Sequence, residues 1–135
     1  MSRYMLDTNT VSHLLRKHPT VTKHVVTHPM ASLCISAITE AELLFGLAKR
    51  PDATQLHLAA HEFLRRVEVL PWDSVAADQY GNTRATMEKR GKNLAPLDML
   101  IGSHALSLKI ILVTNDQAFS QVPDLHIEDW TVLGG

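Results

Sequence analysis

Apolar residues in this chain follow two rhythms: short, nearly unbroken runs, and longer stretches at helical spacing, alternating from one end to the other. The runs at 3–6, 33–36, 68–70 and 110–114 predict short strands, with Ile110-Ile111-Leu112-Val113 the clearest, and 126–128 reads as a last short one. Between them, helical patterns cover 11–17, Pro19 to near His28-Pro29, 38–49, 54–66, 74 to about 90, and Pro96 through Leu108. The punctuation agrees with this division. Pro51 stops the third helix, and Asp73 or Ser74 offers an N-cap after the turn at Pro71-Trp72. Gly91 is suited to the position just past a helix, and Pro96 to a first helical turn. Strands alternating with helices predict a parallel sheet covered on both faces, a three-layer α/β/α sandwich. No linker, repeat or low-complexity tract divides residues 1–135, so one domain is expected.

Four acids break this apolar pattern: Asp7 after Met5-Leu6, Glu42 in an apolar helix, Asp98 behind Pro96-Leu97, and Asp116 after Val113-Thr114-Asn115. A carboxylate in such a setting is costly to bury without a partner. In open parallel sheets ligands bind beyond the carboxyl ends of the strands, and Asp7 and Asp116 both follow strands directly. Asp98 sits about a dozen residues before a strand, a spacing that does not by itself bring it to that edge. On a helical wheel Glu42 lies beside Ile38 and Phe45 while Glu40 points away, which favours Glu42 only mildly. Each acid also has an ordinary explanation: a cap at Asp7, dipole compensation at Asp98, a turn at Asp116. If the fold gathers all four, their repulsion calls for a cation, and an all-oxygen donor set favours Mg²⁺ or Mn²⁺.

Composition changes the picture mainly by exclusion. A net charge of −1 removes the argument that a basic protein binds nucleic acid everywhere on its surface, so any such binding needs a local patch. Seven aromatic residues are too few for a base-stacking sheet. No apolar run approaches a membrane span and no leader pattern opens the chain, while the single Cys34 fits a reducing compartment; a cytoplasmic protein with no membrane partner is expected.

In their order and spacing, these motifs resemble the PIN-domain ribonucleases, and among them the VapC toxins of bacterial toxin–antitoxin pairs. The likeness rests on Met5-Leu6-Asp7-Thr8-Asn9, on Ile35-Ser36-Ala37-Ile38-Thr39 leading to Glu42-Leu43 and Gly46, on Pro96-Leu97-Asp98 with Ile101, and on Val113-Thr114-Asn115-Asp116 with Phe119. Ile127-Glu128-Asp129-Trp130 is similar to the enteric branch. The resemblance implies a PIN-like sandwich and selects Glu42 over Glu40. It also brings Asp98 into a metal site with Asp7, Glu42 and Asp116, the last often Asn in relatives. Thr8, Asn9, Thr114 and Asn115 become candidates to orient those carboxylates or their waters. The implied reaction is Mg²⁺- or Mn²⁺-dependent hydrolysis of RNA to a 3′-hydroxyl, with tRNA the expected substrate and the initiator anticodon stem-loop the specific possibility. A homodimer and inhibition by a small cognate antitoxin are implied as well.

Arg84, Lys89, Arg90 and Lys92 gather before Pro96 and Asp98 and are candidates for RNA phosphate contacts, set against an ordinary solvated helix end. Lys49-Arg50 reads as a charge pair at a helix C-terminus. His57 and His61, like His24 and His28, have a metal-clamping i,i+4 spacing but no evident third ligand, and read as exposed helix faces. Cys34, Trp72 and Trp130 are expected to pack. The apolar helix around Leu43, Leu44 and Leu47 suits an interface or the core equally. Two rival readings remain. A receiver-type signalling domain would share the architecture but needs adjacent acids after the first strand and a late Lys, where this chain has Thr8-Asn9 and Asn115-Asp116. A non-catalytic binding module on the same scaffold is the other.

Overall fold

Five strands in the computed structural model, which describes residues 2–133, pair throughout in parallel in the order β3-β2-β1-β4-β5. They are β1 (Tyr4–Leu6), β2 (Leu33–Ser36), β3 (Glu68–Leu70), β4 (Ile111–Val113) and β5 (Ile127–Glu128). Helices α1 (Thr8–Leu15), α2 (Pro19–Val26), α3 (Ala37–Ala48), α4 (Thr54–Arg66), α5 (Ser74–Lys89) and α6 (Pro96–Leu108) connect them. The expected sandwich is the observed one.

The two-residue period of a strand explains the layers. Leu6, Leu33, Ile35 and Val113 enter one core with Val11, Val21, Val25, Phe63 and Trp130, under α1, α2 and α4. Their neighbours Met5, Cys34 and Leu112 enter the other, with Ile101, Ala105 and Phe119 under α6. The three inner strands β1, β2 and β4 are therefore apolar on both sides, which is why they read as continuous runs. On the second face, helix and loop approach closely. A Cβ on Gly102 would stand 3.4 Å from two ring carbons of Phe119, at the near limit of van der Waals contact.

Helix boundaries differ from expectation in one instructive place. α1 starts at Thr8 rather than residue 11, because Asp7 caps it by accepting a 2.8 Å hydrogen bond from the Thr10 amide. It ends before residue 17, where Lys17 turns left-handed (φ 63°). Another difference concerns His24 and His28, expected on an exposed face. They are half-buried and stack on Trp130 with ring centroids 5.3 and 4.7 Å away, closing the C-terminal segment onto α2. His61 is exposed as expected, whereas His57 is half-buried and bonded to the Arg50 carbonyl. Cys34 is fully buried, and desolvation pushes its thiol up to about 11, the behaviour of an inert core residue. Trp72 donates to the Leu100 carbonyl at 2.9 Å and Trp130 is buried in the first core. Leu43 and Leu47 are buried while Leu44 and Phe45 are exposed, so one helix serves the core and a surface. No helix among the described residues is long and apolar enough to cross a membrane.

One buried polar cluster ties the second layer together. Ser36 caps α3 through the Ile38 amide, and its hydroxyl meets the His104 Nδ1 of α6 at 2.8 Å. His104 also bonds to the Pro71 carbonyl, and burial lowers its pKa, so the ring is neutral in the folded state. Because the folded pKa lies below the unfolded one, the stability from this neutral imidazole is complete above the ordinary pKa of 6.5 and is lost as pH falls below it. His104→Ala is expected to cost about 2–3 kcal/mol at pH 8 through a cavity and unpaired polar groups. The gap between wild type and variant should narrow as pH falls from 6.5. Thermal or urea unfolding across pH 5–8 measures it, and a gap constant with pH contradicts the buried neutral ring.

Candidate active site

β1 lies between β2 and β4, and the chain order of the strands reverses there: β2 and β3 build outward on one side, β4 and β5 on the other. The crevice at such a switch point, beyond the carboxyl ends of the strands, is where doubly wound folds bind ligands. Asp7 follows β1 and Asp116 closely follows β4, on either side of the crevice. Glu42 lies in the second turn of α3, which leaves β2, and Asp98 in the first turn of α6, which leads into β4.

The backbone holds the central acid in place. The Asp7 amide donates to the Val113 carbonyl at 3.0 Å, and the Thr10 hydroxyl donates to the same oxygen at 3.0 Å. These bonds pin the start of α1 to the end of β4. Asp7 is only 4% exposed. Its pKa is raised, first by loss of water; hydrogen bonds from Thr114 and Thr10 pull the other way, and the charge of Asp116 adds to the rise. Asp116 caps the short 3₁₀ turn Gln117–Gln121 through the Ala118 amide, and its own amide donates to the Thr114 hydroxyl at 3.0 Å. Buried Thr114 thus touches both acids. Thr8 donates to the Glu42 Oε1 at 2.6 Å and lies 3.3 Å from the Thr39 hydroxyl. Glu40 takes no part in these contacts.

Asp98 shows that the four acids share one electrostatic neighbourhood. Its pKa is pushed up to about 6, first by desolvation, then by the charges of Asp116, Asp7 and Glu42. None of the ion pairs among the described residues involves any of the four. The donor chemistry, all carboxylate oxygen with excess negative charge, fits a hard divalent cation. The side-chain positions are looser than the chemistry. Among the described residues no three His, Cys, Asp or Glu groups stand close enough together to hold a metal ion as they are placed. Glu42 is turned onto Thr8, and Asp7 and Asp116 each spend one oxygen on a backbone amide. The acids therefore share a field without yet sharing a coordination sphere.

The remaining candidates divide. Thr8 and Thr114 bond to the acids, whereas Asn9 and Asn115 are exposed and make no hydrogen bond to them. Two threonines were not singled out in the sequence: Thr10, which fixes the Asp7 cap, and Thr39, beside Thr8. Thr10 was legible as the third residue after a capping Asp. Thr39 was not, because its role depends on the packing of α1 against α3. Of the basic group, Arg84 is bonded to Glu88 at 2.9 Å and to Tyr80 at 2.7 Å. Arg90 lines a depression with Thr86, Leu106 and Asp124 that contains none of the four acids. Lys89 and Lys92 are exposed near the loop into α6.

Unfavourable charge at Asp98 has a measurable cost. Its folded pKa of about 6 lies above the ordinary 3.8, so the penalty is absent below that lower value and complete above about 6. In metal-free protein at pH 7.5, Asp98→Asn is expected to raise stability by about 1 kcal/mol after discounting for partial exposure, or roughly 3–4 °C in Tm. The gain should fade as pH is lowered to about 4. Thermal unfolding in chelator reads this directly; a variant no more stable than wild type at pH 7.5 removes the charge crowding.

Residues 4–125 match the family model described as "PIN domain". A "tRNA(fMet)-specific endonuclease VapC" of Salmonella typhimurium is 36% identical over 132 residues, covering 96% of this chain and 99% of the relative. A protein of the same description from Shigella flexneri is 34% identical, covering 97% of this chain and all of its own length. Among solved structures, "DNA bound VapBC from Salmonella typhimurium" superposes with a TM-score of 0.89 at 34% identity, covering 96% of this chain and 99% of that one. This whole-length agreement sets aside the receiver-type reading. The four acids thus stand at the sheet edge of a protein that belongs to the PIN-domain family, in its VapC branch.

Proposed function

We propose that this chain is a divalent-metal-dependent endoribonuclease that cleaves tRNA, the toxin of a toxin–antitoxin pair, silenced by a small cognate antitoxin. One observation carries the reading: carboxylates from four separated segments lie in one field at the switch point, unpaired by any cation of the described residues, and three of them raise the pKa of the fourth. Such a cluster costs stability unless it has a use. The named activities of the relatives, a tRNA(fMet)-specific endonuclease and a ribonuclease, support the substrate class. The VapBC complexes among the structural neighbours support an antitoxin partner. A homodimer of the free toxin belongs to the same proposal.

Asp7, Glu42, Asp98 and Asp116 would hold Mg²⁺ or Mn²⁺. When bound, such an ion supplies a water of lowered pKa and neutralises charge at the phosphodiester. The chain's own contributions are positional. Asp7 is fixed by its amide bonds and its burial, so its carboxylate is presented from a rigid base. Thr114 holds Asp7 and Asp116 in a fixed relation, and Thr8 holds Glu42. Asn9 and Asn115, exposed at the same edge, are placed to meet water or RNA rather than the acids. No histidine lies among these contacts, so proton removal from the attacking water falls to a carboxylate of the cluster or to bulk water.

Incubating the purified protein with total tRNA, with Mg²⁺ or with chelator, and mapping new 5′ ends tests the reading. Cleavage should require the ion and fall in the initiator anticodon stem-loop. Asp7→Asn and Asp98→Asn should each lose about two to three orders of magnitude while remaining folded. Undiminished cleavage by folded variants, or equal cleavage in chelator, would sink the mechanism. An intact initiator tRNA beside another cleaved RNA would sink the substrate alone.

A further inference from the structure

Beside the acids, a groove of about 280 Å³ opens between α1, α3 and α4. Thr8, Asn9 and Glu42 line it, and so do Arg16, Lys49 and Arg50. Both α1 and α3 start at the carboxyl edge of the sheet and run away from it. At 1.5 Å per helical residue, Arg16 lies about 12 Å beyond Thr8 and Lys49 about 10 Å beyond Glu42. The groove therefore has an acidic mouth and a basic far end. Glu42 is the only acid in its walls.

These three cations are free, as Arg84 of α5 is not. Arg16, Lys49 and Arg50 are exposed, and none belongs to an ion pair among the described residues. Lys49 rests its ammonium 4.6 Å from the centre of the exposed Phe45 ring, which positions the charge without neutralising it. Arg84, by contrast, is spent on Glu88 and Tyr80. The groove wall is also open at Gly46, where an added Cβ would meet no atom within 4 Å. A nucleic-acid strand carries one charge per roughly 3.4 Å of helical rise, so 10–12 Å spans about three nucleotides.

We infer that this groove seats the RNA backbone, with Arg16, Lys49 and Arg50 as positioning residues that grip phosphates about three nucleotides from the bond cut at the acids. The inference rests on the ribonuclease reading above. It places phosphate contacts in this groove rather than at the end of α5, where the sequence suggested them. Lys49 and Arg50 then do more than compensate the end of α3. The contacts are to phosphate, so they set affinity and register, and sequence preference must come from elsewhere.

The test separates binding from cutting. In an Asp98→Asn background, the triple variant Arg16→Ala, Lys49→Ala, Arg50→Ala is titrated with bulk tRNA at several salt concentrations. Its Kd should rise about 10- to 100-fold, and the slope of log K against log salt should fall by about two, the loss of three phosphate contacts at roughly 0.7 each. Gly46→Glu, whose Cβ would meet no atom within 4 Å and whose carboxylate adds a negative charge, should weaken binding similarly without lowering the unfolding temperature. In the active protein both should raise KM more than they lower kcat. Lys89→Ala with Lys92→Ala serves as the comparison and should change the slope by less. Wild-type affinity and slope in both groove variants overturn the inference, as does retained tRNA binding together with lost antitoxin binding. Failure of wild type to cleave any RNA refutes instead the reading on which it rests, since affinity is measured without cleavage.

Discussion

The Val113 carbonyl is the fixed point of this molecule. It lies at the end of β4 and accepts both the Asp7 amide and the Thr10 hydroxyl. Those bonds join two strands that are distant in sequence, start α1 without slack, and set the Asp7 side chain at the crevice. A carboxylate that is nearly buried and surrounded by like charge would otherwise swing toward water. Here the capping bond from the Thr10 amide and the contact with Thr114 restrain it. The other acids at the edge stand around this restrained group.

How much of this could be read from the sequence follows from the same logic. Strands apolar on both sides and helices with clear stops are local signals, so the sandwich was legible, as were Asp7 and Asp116 at strand ends. Asp98 was less obvious from spacing, yet the topology contains the answer. A crossover helix that feeds a parallel strand runs antiparallel to it, so the first turn of α6 must start at the carboxyl edge. Glu42 against Glu40 was not decidable from the wheel, because the deciding partner, Thr8, comes from a helix more than thirty residues away. The stacking of His24 and His28 on Trp130 was hidden for the same reason: it needs the C-terminal segment to return to α2. Long-range pairs of this kind leave no periodic trace.

Charge along the chain ranks candidate phosphate patches poorly. A run of basic residues near Asp98 suggests a phosphate patch, but one of its members, Arg84, is paired at i,i+4 with Glu88. Arg16 and Lys49-Arg50 are scattered in sequence and are collected only by the packing of α1 against α3. Charge density along a chain and charge available in a groove are different quantities.

The two acids hardest to place share a structural support. Ser36 begins α3, and its hydroxyl serves both the Ile38 amide and the ring of His104, which lies on α6. Glu42 is on the first of these helices and Asp98 on the second, so one hydroxyl and one imidazole link the two scaffolds that carry them. A neutral ring can accept from Ser36 while donating to the Pro71 carbonyl; a charged ring has two donors and loses that acceptor role. The lowered pKa of His104 and the raised pKa of Asp98 therefore have a common origin in burial beneath one sheet edge, with opposite consequences for stability as pH falls. Protonating the imidazole weakens that framework, and a cation of the kind proposed above would relieve the crowding of the acids.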